Sequence, residues 1–310
     1  MARRPSHLLA LLLAMVTLLS VSRTEARAQS PDREPALMEV PASTRAVGLG
    51  HAFQLDALDS DVVFYNPSQV GRGNGMMLSY HRFGATATAL GVSAERSWLG
   101  GGIAIGLRSL EYGSDGPGTR LRGLDPLLKR GPVGVSEHVA VAAYARTIGP
   151  VRAGVAGKLV NHRAEDDNDT RGAVDVGVSA ELGPLRVGLA ARNLGGDYVL
   201  AGARVHMPEE VTLGAGGYGH QLGPLDLGVA AAVTRRADGE WLAGGGVEMG
   251  YWPVSGRTFV GRIGVRRVPE GEALPVTFGG SFWGDDLVVE YAFQPVDGHD
   301  GIHRLTVGWR

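Results

Sequence analysis

The chain of 310 residues has no cysteine. Disulfides, thiolate nucleophiles and cysteine-ligated metals are therefore excluded as sources of stability or chemistry. Charge of one dominant sign is also missing. Thirty Lys and Arg stand against 32 Asp and Glu, a net of -2, so nothing points to nucleic acid as a partner. Aromatics are sparse at 6%. No apolar run after the first 28 residues approaches the roughly 20 residues a membrane-spanning helix needs. Long stretches with a helical period are absent too, which removes helical bundles from consideration.

What the chain has in excess is glycine, 48 residues, against a usual share of about 7%. The first stretch is an address rather than part of a fold. Arg3 and Arg4 precede an apolar run over 8–19, and Ala26-Arg27-Ala28 forms an A-x-A cleavage site. Residues 1–28 are expected to be a signal peptide, with the mature chain starting at Gln29. The run is shorter than a spanning helix requires.

Beyond residue 75 apolar residues alternate with small or polar ones. Val174, Val176, Val178, Ala180 and Leu182 share one face, with Asp175, Gly177, Ser179 and Glu181 on the other. After Gly183-Pro184 the pattern resumes with Leu185, Val187, Leu189 and Ala191 opposite Arg186, Gly188, Ala190 and Arg192. A period of two places one face against oil and the other against a polar medium. Soluble strands average about five or six residues. These runs are nearer ten, the length of a tilted strand that crosses a bilayer. Their polar faces also carry many Gly and Ala, which a water-facing surface has no need of but a filled lumen has.

The pattern predicts strands over 76–83, 86–96, 100–112, 135–147, 151–163, 172–182, 185–194, 209–220, 225–236, 240–251, 257–268, 273–283, 286–294 and 301–310. The expected fold class is all-β, a transmembrane antiparallel barrel of about 14 strands, an even number as bacterial barrels have. Connections alternate. Those at 148–150, 183–184, 223–224, 252–256 and 284–285 are tight turns of Gly, Pro and Asp, as periplasmic turns are. Those at 113–134, 164–171, 195–208, 237–239, 269–272 and 295–300 are mostly longer and more polar, and are expected outside.

Between the signal peptide and the first strand, residues 45–71 read RAVGLGHAFQLDALDSDVVFYNPSQVG. The features are a glycine pair (Gly48, Gly50), Ala52-Phe53, an acidic break (Asp56, Asp59, Asp61) and Asn66-Pro67. This segment resembles the N-terminal signature of the PorV/PorQ family of outer-membrane proteins, relatives of FadL-type barrels. It departs from that signature at His51 and at Ser68-Gln69-Val70. The resemblance implies a 14-stranded barrel at 76–310 and, by analogy with FadL, a pore-closing hatch at 29–75. The hatch residues it implies are Gly48, Gly50, Phe53, Asp59, Asn66 and Pro67, with Asn66-Pro67 setting the turn into the wall. The apolar residues of the segment need burial, which also favours a place inside the lumen.

Alternation assigns a set of charges to the lumen: Arg152, Lys158, Arg186, Arg192, Arg262, Arg266 and Arg304, with Asp175, Glu181, Asp226, Glu248 and Glu290. Mixed signs favour interior ion pairs that hold the segment, over a polar ligand path. The acidic run 165–169 lacks the ligand spacing of a calcium loop and reads as a solvated loop. Gly48-Leu49-Gly50 has no preceding strand, so no dinucleotide site is indicated. No G-x-S-x-G elbow and no histidine pair at metal spacing occurs. No enzyme activity, metal or cofactor is expected. Three functions remain open: a PorV-like anchor or shuttle working with secretion-system components or exported cargo, a FadL-like uptake of a hydrophobic ligand, or a structural role. All three place the protein in outer-membrane lipid.

Overall fold

In the computed structural model, residues 35–52, 55, 59–83, 87–112, 136–164, 167–200, 203–267, 274–296 and 299–310 are described. Residues 1–28, expected as a signal peptide, together with Phe53, Asp56 and the connection 113–134, lie outside them. Fourteen strands form one closed antiparallel barrel. In chain order the first seven are β1 (Gly75–Phe83), β2 (Ala87–Trp98), β3 (Gly101–Tyr112), β4 (Ser136–Ile148), β5 (Val151–Ala164), β6 (Asp167–Leu182) and β7 (Leu185–Gly195). A small hairpin follows, β8 (Tyr198–Leu200) with β9 (Ala203–Val205). The barrel resumes with β10 (Glu210–Leu222), β11 (Leu225–Arg236), β12 (Trp241–Val254), β13 (Arg257–Arg266), β14 (Val276–Trp283), β15 (Leu287–Val296) and β16 (His299–Trp309). Each pairs with its neighbour in sequence, β7 pairs with β10 across the hairpin, and β1 closes on β16 from Met76↔Trp309 to Phe83↔Ile302.

Closure leaves no free edge, which a strand in hydrocarbon could not tolerate. Leu78, Ile105, Leu107, Val155, Leu159, Leu213, Val229, Val247, Ile263 and Leu305 are all exposed on the outer face. An apolar surface that runs round the whole barrel requires an apolar medium. One end is closed by tight turns. Gly149, Gly183 and Gly223 each take a positive φ (60°, 66° and 64°) and each is followed by proline. Glycine first and a fixed negative φ second is the pattern of a two-residue type II′ hairpin, whose twist matches the strands.

Four connections differ from expectation. Asp167–Asp169 belongs to β6 rather than to a loop, and β5 continues to Ala164. Asn161 Nδ2 donates across the pair to Asn168 Oδ1 (2.7 Å) and Thr170 Oγ1 (2.8 Å), so polar side chains carry the ladder past the apolar belt. β12 runs to Val254 and β15 to Val296, so those links shorten as well. The expected plain connection 195–208 holds the hairpin β8–β9, which packs Tyr198, Leu200 and Val205 against Leu37, Leu110 and Val160 at the loop end of the barrel.

The described residues of 35–71 run inside the barrel as short irregular pieces. Helix α1 (Ala36–Glu39) and helix α2 (Thr44–Gly48) are followed by 3-10 turns over Ser60–Phe64 and Pro67–Gln69. Ser43 caps α2, its Oγ accepting from Ala46 N–H at 3.2 Å. The Tyr65 hydroxyl accepts from Ala42 and Ser43 N–H (2.7 and 2.9 Å), tying the later turn to the entry of α2.

Candidate functional site

The site is the contact between this internal segment and the wall. A buried irregular chain exposes carbonyls that need donors. Four wall arginines supply them. Arg108 on β3 donates to the carbonyls of Leu37 (2.8 Å), Val40 (2.8 Å) and Pro41 (3.2 Å). Arg152 on β5 donates to Ser68 (2.7 Å) and Val70. Arg192 on β7 donates to Phe64 (2.7 Å), and Arg304 on β16 to Pro41 and Ser43. Three hydroxyl pairs add to these: Thr44–Thr306 (2.7 Å), Ser60–Ser93 (2.7 Å) and Ser68–Ser179 (3.0 Å).

Glycines let the two backbones meet. A Cβ on Gly246 would lie 2.7 Å from Leu49 Cα, and one on Gly264 2.6 Å from the Leu49 carbonyl carbon. One on Gly279 would lie 3.1 Å from Gly48 Cα. Further round, Cβ atoms on Gly154 and Gly177 would meet Ser68 N (2.6 Å) and Pro67 Cδ (3.1 Å). Gly48 and Gly50 therefore sit against a glycine wall on β12–β14. Asn66 and Pro67 sit against another on β5 and β6, with Asn66 Oδ1 accepting from Ser68 N–H at 3.0 Å.

The sequence-assigned charges separate into groups. Arg262, Glu248 and Glu290 join Arg45, Asp59 and Arg310 in one alternating chain. Its links are Glu290–Arg262 (3.0 Å), Arg262–Glu248 (3.1 Å), Glu248–Arg45 (2.6 Å), Arg45–Asp59 (3.5 Å) and Asp59–Arg310 (2.9 Å). Three cations alternate with three carboxylates, so the buried charges cancel, which is the condition for holding them out of water. The guanidinium carbons of Arg45, Arg262 and Arg310 also lie 5.7, 6.0 and 4.9 Å from the Trp283 ring centre. Asp59 is fully buried. Burial alone would raise its carboxyl, but Arg45, Arg310 and Arg262 outweigh that and hold it below its ordinary 3.8.

Lys158 pairs with Asp175 at 2.7 Å and donates to Asn193 Oδ1 at 2.7 Å. Asn193 has a φ of 60°, where the β6–β7 register shifts. Arg192 pairs with Glu210. Arg266 approaches His51 Nδ1 at 3.5 Å. Arg186 and Glu181 lie apart from this lumen set: Glu181 is more than half exposed and takes Arg72 at 2.5 Å, with Arg186 at 3.8 Å. Asp226 borders an internal cavity. Pattern alone did not single out Arg45, Arg108, Thr306 or Glu210, although Arg108 and Thr306 have the lumen-facing parity of their strands.

Two cavities flank the segment. One of about 140 Å³ lies toward the loop end, bordered by Val40, His51, Phe64, Arg108, Leu242 and Arg266 among others. The other, about 260 Å³, lies toward the tight turns and is bordered by Arg45, Tyr218, Asp226, Glu248, Val260 and Trp283.

Among solved structures, a TodX monoaromatic hydrocarbon channel with a deletion in S2 superposes with a TM-score of 0.56, at 11% identity over 88% of this chain and 97% of that one. The chain has the fold of the FadL-like channels. A Pseudomonas aeruginosa FadL homologue gives 0.51 at 10% identity, covering 92% and 99%, and the CymD monoaromatic hydrocarbon channel 0.50 at 12%, covering 87% and 96%. At such identities the likeness is one of fold. No family model and no curated protein matches the chain. Nothing in these comparisons supports the PorV/PorQ membership suggested by the N-terminal motif.

Proposed function

We propose that the protein is an outer-membrane channel for a small hydrophobic molecule, closed at rest by residues 35–71 acting as a hatch. The observation that carries this is the way the segment is held. It crosses the lumen, and the wall grips it through carbonyls, hydroxyls and one ion-pair chain while leaving a cavity on each side. A purely structural filling has no use for such cavities. The outer cavity is close to the roughly 150 Å³ that accommodates a benzene ring. Its border sets apolar side chains (Met38, Val40, Phe64, Val139 and Leu242) beside charged ones, Arg108, Lys158, Arg192, Glu210, Arg236 and Arg266 among them. The FadL-like fold supports the same reading.

Secretion would follow the signal peptide, cut after Ala28, and barrel insertion. The hatch would comprise Gly48, Gly50, Phe53, Asp59, Asn66 and Pro67 with their neighbours. The lumen charges serve chiefly to hold it. A PorV-type role as anchor or shuttle for exported cargo rests on the motif alone.

The test is whole-cell uptake of radiolabelled toluene, with and without the protein, paired with planar-bilayer conductance. Expression should raise uptake, and deleting 35–71 should raise conductance while the barrel still shows its heat-dependent gel shift. Equal uptake in the two strains would sink the channel reading. Equal conductance with and without the segment would sink the hatch.

A further inference from the structure

The two cavities share the wall of β11–β13, and the outer one also reaches across to Arg108, Val139, Lys158 and Arg192. Along β12, Leu242, Ala243 and Gly244 border the outer cavity, and Glu248 and Gly250 border the inner one. Neighbouring strands repeat the division. Ala232 and Thr234 of β11 and Arg266 of β13 are outer, whereas Asp226 and Leu227 of β11 and Thr258 and Val260 of β13 are inner. Among the described residues, α2 with its C-terminal end stands between the two levels. Leu49 rests on Gly246, the backbone of Gly50 meets Gly264, and Arg45 reaches Glu248.

The opposite wall differs. There the segment interlocks with β2–β6 through Ser60–Ser93, Ser68–Ser179, the Arg152 bonds and the glycine seats of Asn66–Pro67. Glu95 also accepts from Gly71 and Gly73 N–H at 2.7 and 3.1 Å. Neither cavity is bordered by the turn Pro67–Gln69.

We infer that the route through the lumen runs along β11–β13, that the inner cavity is a second ligand station, and that α2 alone is the gate, latched by Arg45 to Glu248 and Asp59. The turn at Asn66–Gly71 is a fixed anchor about which α2 is displaced. This rests on the uptake reading above and adds the path and the moving part. The inner station offers the Tyr218 and Trp283 rings with Leu227 and Val260 as an apolar floor, and Thr258, Asp226, Arg186 and the paired Arg45 and Glu248 as polar groups. That combination suits a small ring-bearing molecule with a polar substituent. Moving α2 breaks Arg45–Glu248 and Arg45–Asp59 and the Thr44–Thr306 contact. It leaves the anchor's bonds intact, because none of them involves residues 44–50.

The absence of cysteine makes the test clean. Hydroxyls already in contact mark two disulfide positions. Thr44→Cys with Thr306→Cys fastens α2, and Ser68→Cys with Ser179→Cys fastens the anchor. Both variants are expected to keep the heat-dependent gel shift. With toluene as probe, the oxidised α2 lock should lower the initial uptake rate by about tenfold or more, with recovery on reduction, because gating then needs a broken covalent bond. The oxidised anchor lock should stay within about twofold of the parent. The inference is overturned if the anchor lock blocks uptake as strongly as the α2 lock, or if the α2 lock changes nothing. In both cases uptake by the parent protein still stands. If the parent itself takes up no toluene, the channel reading falls and the gate falls with it.

Discussion

Gly246 offers a direct measure of how tightly wall and segment are fitted. Replacing it with alanine adds one methyl group, whose carbon would sit 2.7 Å from Leu49 Cα and 2.9 Å from both the Leu49 carbonyl carbon and the Ile263 oxygen. All three are backbone atoms, so no flexible side chain can swing away. Overpacking of this kind costs about 1–3 kcal/mol. The control is Gly261 on β13, where a Cβ meets nothing within 4 Å. There alanine should be neutral or stabilise by up to about 1 kcal/mol, since glycine loses more chain entropy on folding. Urea unfolding in detergent or lipid, followed by tryptophan fluorescence, gives both differences. The decisive step repeats Gly246→Ala in protein lacking residues 35–71, where the part of the penalty due to Leu49 should vanish and only that from the Ile263 oxygen remain. The coupling energy between the two changes should therefore be most of the roughly 1–3 kcal/mol. A penalty that survives the deletion undiminished would mean that Gly246 serves the strand and not the segment, and the close-fit reasoning would be wrong.

Other outcomes follow from the ion-pair chain and the topology. Arg45→Ala leaves Glu248 and Asp59 short of a buried partner and should destabilise the closed state by about 3–5 kcal/mol, read as a higher open probability in bilayers. Because the Asp59 carboxyl is depressed on folding, its contribution is present above its ordinary value of 3.8 and is lost as pH falls below it. Open probability should rise in that acid range, and Asp59→Asn should remove this acid-induced component. A protease site in the turn at 183–184 should be cut only when the periplasm is opened, whereas one at 116 should be cut on intact cells; the reverse would invert the orientation.

The barrel was legible because alternation in a membrane strand is enforced twice, by lipid outside and by the filled lumen inside. All fourteen strand locations could be read from parity, with ends displaced by a few residues. The misplaced ends share a cause: at Asp167–Asp169 the chain stays paired after it has left the apolar belt, and no hydrophobic signal marks that. The hairpin β8–β9 was missed because its strands have three residues each, too few to show a period. Lumen charges could be placed by parity, but their partners could not. Arg45 lies outside any strand, and Arg310 follows the last one, so neither offers a parity to read. The course of the internal segment was beyond reach for a related reason. It has almost no regular structure, and its path is dictated by hydrogen-bonding and charged partners on at least eight strands of the wall.

The four arginines that bind seven main-chain carbonyls have an evolutionary consequence. A carbonyl is the same whichever residue carries it, so the wall recognises where the segment's backbone goes and is largely blind to its side chains. At Leu37, Val40 and Val70 the identity of the residue can drift while the grip persists. The arginines themselves have no such freedom. Lineages of this barrel could thus alter what lines the cavities by rewriting the inner chain, without redesigning the cylinder that contains it.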